Sequence, residues 1–147
     1  NSIQTKSDIT KRTNVPILAL IGNNSDDSNL IIKKSKSVLS ESFRSLRTNI
    51  QYISSEKDKK IISVTSTKGG EGKTFCSMNL ATILAISGKK TVLIGADLRK
   101  PKLHKDFNFD NKLGLSTVLI NKTDLKSVTH KTEIDNLDLI LSGPILF

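Results

Sequence analysis

Ser66-Thr67-Lys68-Gly69-Gly70-Glu71-Gly72-Lys73-Thr74 stands between the apolar run Ile61-Ile62-Ser63-Val64-Thr65 and a helical pattern beginning near Lys73. Strand, glycine loop, Lys-Thr and helix follow in the order a phosphate cradle requires. A bound polyphosphate needs backbone N–H groups turned inward, and residues without a β-carbon let the chain curl that closely. Gly69, Gly70 and Gly72 supply this freedom. Lys73 is placed to offer its ammonium to the outer phosphates and Thr74 its hydroxyl to Mg²⁺, while the following helix turns its positive end toward the anion. The plain alternative is a glycine turn flanked by solvated lysines, but the strand and helix patterns on either side both support the cradle.

The common pattern G-x-x-x-x-G-K-[ST] asks for glycine where this chain has Thr67. In its place a second lysine, Lys68, precedes the glycines. This arrangement resembles the deviant Walker A loop of the MinD/ParA branch of P-loop ATPases, in which the extra lysine reaches a nucleotide across a dimer interface.

With 147 residues, 36% of them hydrophobic, the chain suffices for one α/β domain with a proper core. The net charge of +9, from 23 Lys and Arg against 14 Asp and Glu, suits phosphate ligands, acidic lipid or nucleic acid alike. Aromatic residues make up only 4%, so the stacking platforms of single-strand nucleic-acid binders are poorly supplied and no specific nucleic-acid partner is expected. One cysteine, Cys76, excludes an internal disulfide and reads as core packing in the helix after the loop. No apolar run approaches the roughly 20 residues of a membrane-spanning helix.

Taken in order, residues 1–14 read as a linker or short frayed helix. Val15-Pro16-Ile17-Leu18-Ala19-Leu20-Ile21 reads as a strand or extended segment closed by Gly22-Asn23-Asn24, and 25–29 as a surface loop. Leu39, Phe43, Leu46, Ile50 and Ile53 recur at helical spacing, predicting a helix over about 36–55 with one apolar stripe. Glu41 and Arg44 fall on its far side and Arg47 on its flank. Residues 57–60 form a charged turn, and Ile61–Thr65 is expected to be a buried strand. A helix is predicted over 73–87 with Gly88 as its cap, then a strand at Thr91–Ile94, completing a βαβ unit and a parallel sheet. Asp97 leaves the carboxyl end of that strand, where open α/β sheets place ligands, and is a candidate for Mg²⁺ or its water shell; capping a turn or pairing with Arg99 is the alternative. Short helices or turns are expected at 115–120 and 123–128, and a strand at 137–141. His104 and His130 lack metal-ligand spacing.

Three separated features together resemble the cytoplasmic domain of the bacterial tyrosine kinases that control exopolysaccharide and capsule export. They are the loop with Glu71-Gly72-Lys73-Thr74-Phe75, the segment Asp97-Leu98-Arg99-Lys100-Pro101, and Glu41-Ser42-Phe43-Arg44-Ser45-Leu46-Arg47, which is similar to the family's E-x-x-R-x-x-R ring-assembly helix. The resemblance implies an α/β P-loop NTPase fold, a mainly parallel sheet flanked by helices. It divides the chain into a juxtamembrane linker and entry strand, 1–35, and a kinase-type domain, 36–147. It implies ATP or ADP with Mg²⁺ as cofactor, held by Lys68, Gly69, Gly70, Glu71, Gly72, Lys73, Thr74 and Phe75. Thr74 and Asp97 become the metal residues, Lys73 and Asp97 the catalytic ones, and Glu41, Arg44 and Arg47 an oligomer interface. A homo-oligomeric ring, a membrane adaptor of polysaccharide export and the cytoplasmic face of the bacterial inner membrane follow as expectations.

Some positions depart from the family pattern. Gly95 stands where the first Walker A′ acid belongs, no Walker B strand ending in Asp precedes Phe147, and Tyr52 is the only tyrosine. A C-terminally truncated domain of impaired catalysis is expected on these grounds. The alternative is a MinD/ParA-like ATPase that switches between monomer and nucleotide sandwich dimer, which Lys68 favours.

Overall fold

The structure, a computed structural model, describes residues 5–24, 37–53 and 59–145. The loop expected at 25–29, the boundary near 35 and 36 and the start of the charged turn near 57 lie outside these residues.

α3, Lys73–Ile86, is the central element, and its sequence Lys-Thr-Phe-Cys-Ser-Met-Asn-Leu-Ala-Thr-Ile-Leu-Ala-Ile is apolar nearly all round. Such a helix must be covered on more than one side. Met78, Ala81 and Ala85 pack with Leu93, Leu103, Leu137, Leu139 and Leu141 on the sheet side. Leu80 and Ile83 pack instead with Phe43 of α2, Val38–Ile53, flanked by Leu39, Leu46, Ile50, Phe75 and Cys76. The layers are therefore α2, α3 and sheet. Phe43 is fully buried and meets Phe75 edge to face at 5.8 Å, a contact beyond the roughly 1.5–3 kcal/mol its burial contributes. Ile53, the last residue of the predicted stripe, is 62% exposed.

α3 ends as the sequence requires. Gly88 has φ +86°, the Lys89 N–H donates to Leu84 O and the Gly88 N–H to Ala85 O, which together form a Schellman cap. β1, Thr91–Ile94, follows and pairs in parallel with β3, Leu137–Ile140; β2, Thr129–Lys131, adds an antiparallel edge to β3. The sheet is thus mixed, in the order β1-β3-β2. Asn136, at φ +64°, makes the entry to β3, and its carbonyl accepts the Thr91 N–H at 2.8 Å.

One segment departs from the sequence-based expectation. Ile61–Thr65 belongs to no strand ladder, and Ile61 is fully exposed. An extended run becomes a strand only when another edge lies about 4.8 Å away. Here an open cavity of about 910 Å³ separates Ile62 and Val64 from Thr91, Val92 and Leu93, with Ser77, Leu80, Ala81 and Leu84 of α3 as its floor. Residues 15–21, read as a strand or extended segment, form no strand; Leu18 O accepts the Asn49 side-chain N–H of α2 at 2.6 Å, and Ile21 packs beside Phe43. A short helix, α1, forms at Lys6–Thr10 behind a Thr5–Asp8 capping box.

Beyond β1 come α4 (Leu103–Asp106), whose Leu103 joins the core between α3 and the sheet, and α5 (Leu115–Leu119). α5 is held by Gly114 lying directly against Gly143: Leu115 and Ser116 donate their N–H groups to Leu141 O and Ser142 O, each at 2.8 Å.

Candidate phosphate-binding site

The loop at 66–74 takes the shape its glycines allow. Gly70 and Gly72 have φ +87° and +90°, conformations that side chains rarely adopt, and open space surrounds the position of a Cβ at Gly69, Gly70 and Gly72 alike. Glycine is needed here for backbone conformation and close approach from outside, since no neighbour crowds these positions. Gly72 is also the N-cap of α3, and no side chain caps the helix start. The first-turn N–H groups of α3 therefore face the loop's hollow with the helix dipole behind them, an arrangement that suits an anion.

Lys73 and Thr74 open α3 and are half-buried. The Lys73 ammonium donates to Ser66 Oγ at 2.8 Å and to Lys68 O at 3.2 Å, so it is already folded over the loop. Glu71 turns its carboxylate to the loop's own beginning, accepting the Lys68 N–H at 2.9 Å and the Thr67 hydroxyl at 3.2 Å. The Lys68 N–H, followed by the Ser66 and Thr67 hydroxyls and the Lys73 charge, holds this carboxyl below the usual range. Phe75 places its ring against Phe43 in the core, so only its backbone is available to the loop.

Asp97 returns to this end of the molecule because β1 runs back along α3 after the Gly88 turn. Its Oδ1 accepts the N–H groups of Arg99 at 3.2 Å and Lys100 at 3.0 Å, closing a turn. Among the described residues no cluster of three or more His, Cys, Asp or Glu could hold a metal by itself. Mg²⁺ commonly keeps several waters and takes only one or two protein ligands beside phosphate oxygens, which Thr74 and Asp97 suit by chemistry. Gly95, where a carboxylate was expected, has a Cβ position 3.2 Å from Ser142 N and 3.4 Å from Leu103 Cδ2.

On α2, Glu41 and Arg44 form an exposed ion pair one turn apart, while Arg47 Nε is buried and lacks a partner among the described residues. These three do not join the loop. Cys76 packs beside α2, and burial pushes its thiol pKa up. Ser66 and Thr67 are the residues that sequence reasoning passed over: both hydroxyls fall just before the glycines, which was the available signal.

A family model described as an AAA domain matches residues 59–147. The chain is 42% identical over 110 residues to tyrosine-protein kinase YwqD of Bacillus subtilis, covering 75% of this chain and 46% of that protein. It is 39% identical over 135 residues to tyrosine-protein kinase ptk of Acinetobacter johnsonii, covering 92% of this chain and 17% of that protein. Among solved structures, the chimerical protein CapA2B2 superposes with a TM-score of 0.85 at 37% identity, over 96% of this chain and 61% of that one. The BceF tyrosine kinase domain superposes with a TM-score of 0.86 at 28% identity, over 98% and 64%. The chain spans about half the length of the curated relatives YwqD and CapB. No helix among the described residues is long and apolar enough to cross a membrane. Loop, helix and sheet order, the matched family model and the superposed kinase domains agree: the chain belongs to the AAA domain family, in the group of bacterial tyrosine-kinase P-loop domains.

Proposed function

We propose that this chain is the ATP/ADP–Mg²⁺ binding domain of a bacterial protein-tyrosine kinase that autophosphorylates and regulates capsule or exopolysaccharide polymerisation and export. The observation that carries the reading is the loop itself: two left-handed glycines, an uncapped helix start and the Lys73 ammonium bent over the same hollow. Gly69, Gly70 and Gly72 shape the backbone around the phosphates, with Lys68, Glu71 and Phe75 lining the loop. Lys73 neutralises the outer phosphates and Thr74 and Asp97 hold the metal. Mg²⁺, when bound, supplies charge neutralisation across the transferring phosphoryl group. Gly95 removes one expected carboxylate, so turnover falls further than binding, because phosphoryl transfer depends on positioning and electrostatics. Glu41, Arg44 and Arg47 lie on α2 away from the loop, where they serve a homo-oligomeric ring. A membrane adaptor and the cytoplasmic face of the inner membrane complete the proposal.

Calorimetry of the intact protein with Mg²⁺·ADP tests it. Binding is expected in the parent and loss of at least tenfold in affinity in Lys73→Ala; equal affinity in both, or none in the parent, overturns the reading. The second reading, a MinD/ParA-like switch, rests on Lys68. ATP-dependent dimers abolished by Lys68→Ala support that reading, whereas nucleotide-independent rings lost in Arg44→Ala support the kinase.

A further inference from the structure

We propose that Glu71 is a positioning residue for the nucleotide, a clasp whose carboxylate fixes Thr67 and Lys68 and so sets the cradle before any phosphate arrives. The inference rests on the nucleotide reading above and adds a role for the Glu71 side chain, which bonds to the loop's own first residues.

Three glycines within four residues, 69, 70 and 72, give the loop its shape and also its difficulty. Glycine loses more conformational freedom on ordering than any other residue, so an untethered loop must be ordered at the expense of ligand affinity. Something has to hold it in advance. Around these glycines the described side-chain bonds run to one short segment. Glu71 takes the Lys68 N–H at 2.9 Å and the Thr67 hydroxyl at 3.2 Å; Lys73 donates to the Lys68 carbonyl at 3.2 Å and to Ser66 Oγ at 2.8 Å. Lys68 is thereby held at both its backbone groups, the N–H by the Glu71 carboxylate and the C=O by the Ser66 hydroxyl at 2.9 Å together with the Lys73 ammonium. Bonds to ionised partners are about twice as strong as neutral ones.

This arrangement also accounts for the residue that breaks the common loop pattern. A glycine at 67 would offer no hydroxyl, and Thr67 supplies the clasp with its second donor. The carboxylate is solvent-exposed and bridges residues three and four apart in sequence, so its loss leaves the packed core untouched. Its influence on phosphate passes through Lys68 and Lys73.

The test uses the intact protein in four forms, parent, Glu71→Ala, Thr67→Val and the double variant, with two readouts: Mg²⁺·ADP affinity by calorimetry, and amide exchange of residues 69–72 without nucleotide. The expected result is affinity lowered about fivefold to tenfold in Glu71→Ala and less in Thr67→Val, with the double variant no weaker than Glu71→Ala because both act through one clasp. Exchange at 69–72 is expected to quicken in Glu71→Ala without nucleotide and to match the parent once ADP is bound. Glu71→Asp, one methylene shorter, is expected to restore only part of the affinity. Unchanged or tighter binding in Glu71→Ala, beside a parent that binds, overturns the clasp alone. A parent that binds no Mg²⁺·ADP overturns the nucleotide reading, and unaltered exchange at 69–72 then removes the clasp as well.

Discussion

Replacing Gly114 by alanine adds one methyl group where there is no room for it. The new Cβ would stand 2.3 Å from Gly143 N, 2.4 Å from Leu141 O and 2.7 Å from Gly143 Cα. All three are backbone atoms, so no side-chain rotation relieves the clash. The backbone at Gly114 is extended, with φ 172°, and would accept alanine on conformational grounds; space is the sole obstacle. Relief requires segments 114–116 and 141–144 to separate. That breaks Leu115 N–H to Leu141 O and Ser116 N–H to Ser142 O, both 2.8 Å, and strains the Ser116 hydroxyl bond to Pro144 O at 2.9 Å. Two or three hydrogen bonds at about 1 kcal/mol each, with about 1–3 kcal/mol for overpacking, give a loss of about 3–6 kcal/mol. Against a typical total of about 5–15 kcal/mol this is a large fraction. Urea unfolding followed by circular dichroism measures it, with Gly69→Ala as the control, since nothing lies near that Cβ position. A loss below about 1 kcal/mol in Gly114→Ala would show that the two segments do not lie back to back.

Gly95→Asp is expected to raise autophosphorylation of the intact protein. A Cβ at 95 stands 3.2 Å from Ser142 N, so that backbone must give by a few tenths of an ångström, and Gly95 is not among the left-handed glycines. An unchanged rate in a folded variant would mean that this carboxylate does not limit turnover. The raised thiol pKa of Cys76 leaves little thiolate at neutral pH, so alkylation at pH 7 is expected to run well below the rate of free cysteine and to recover in urea. Alkylation at the free-cysteine rate in the native protein would place the thiol outside the core.

α3 was legible almost to the residue because each of its limits has a local cause: a left-handed glycine at 72 and another at 88. Glycine conformations likewise made the cradle legible. β2 was not, since Thr129-His130-Lys131 carries no alternation of its own and becomes a strand only by pairing with Leu139 and its neighbours. Residues 61–65 show the reverse error. A β-branched apolar run states that burial is favourable without saying what will cover it, and here the nearest sheet edge lies across a cavity. The bonds from Glu71 to Thr67 and Lys68 were hidden for another reason: side-chain direction in an irregular loop follows no period. At Asp97 the turn that its place just after a strand allows is present, its carboxylate accepting the N–H groups of Arg99 and Lys100.

The cavity beside β1 has a consequence for handling the domain. Thr91 and Gly95 direct their N–H groups to the β3 side, so the alternate residues Val92 and Ile94 turn their backbone groups to the opposite edge, and their side chains are about half exposed. An apolar edge of this kind is a template for sheet growth between molecules. On the proposed reading, self-association of the purified domain is expected to have two separable origins. Pairing along β1 is apolar and hydrogen-bonded, so added salt leaves it intact and a lysine at position 92 blocks it. Contacts through Glu41, Arg44 and Arg47, the interface proposed above, are expected to be electrostatic and to dissolve in salt.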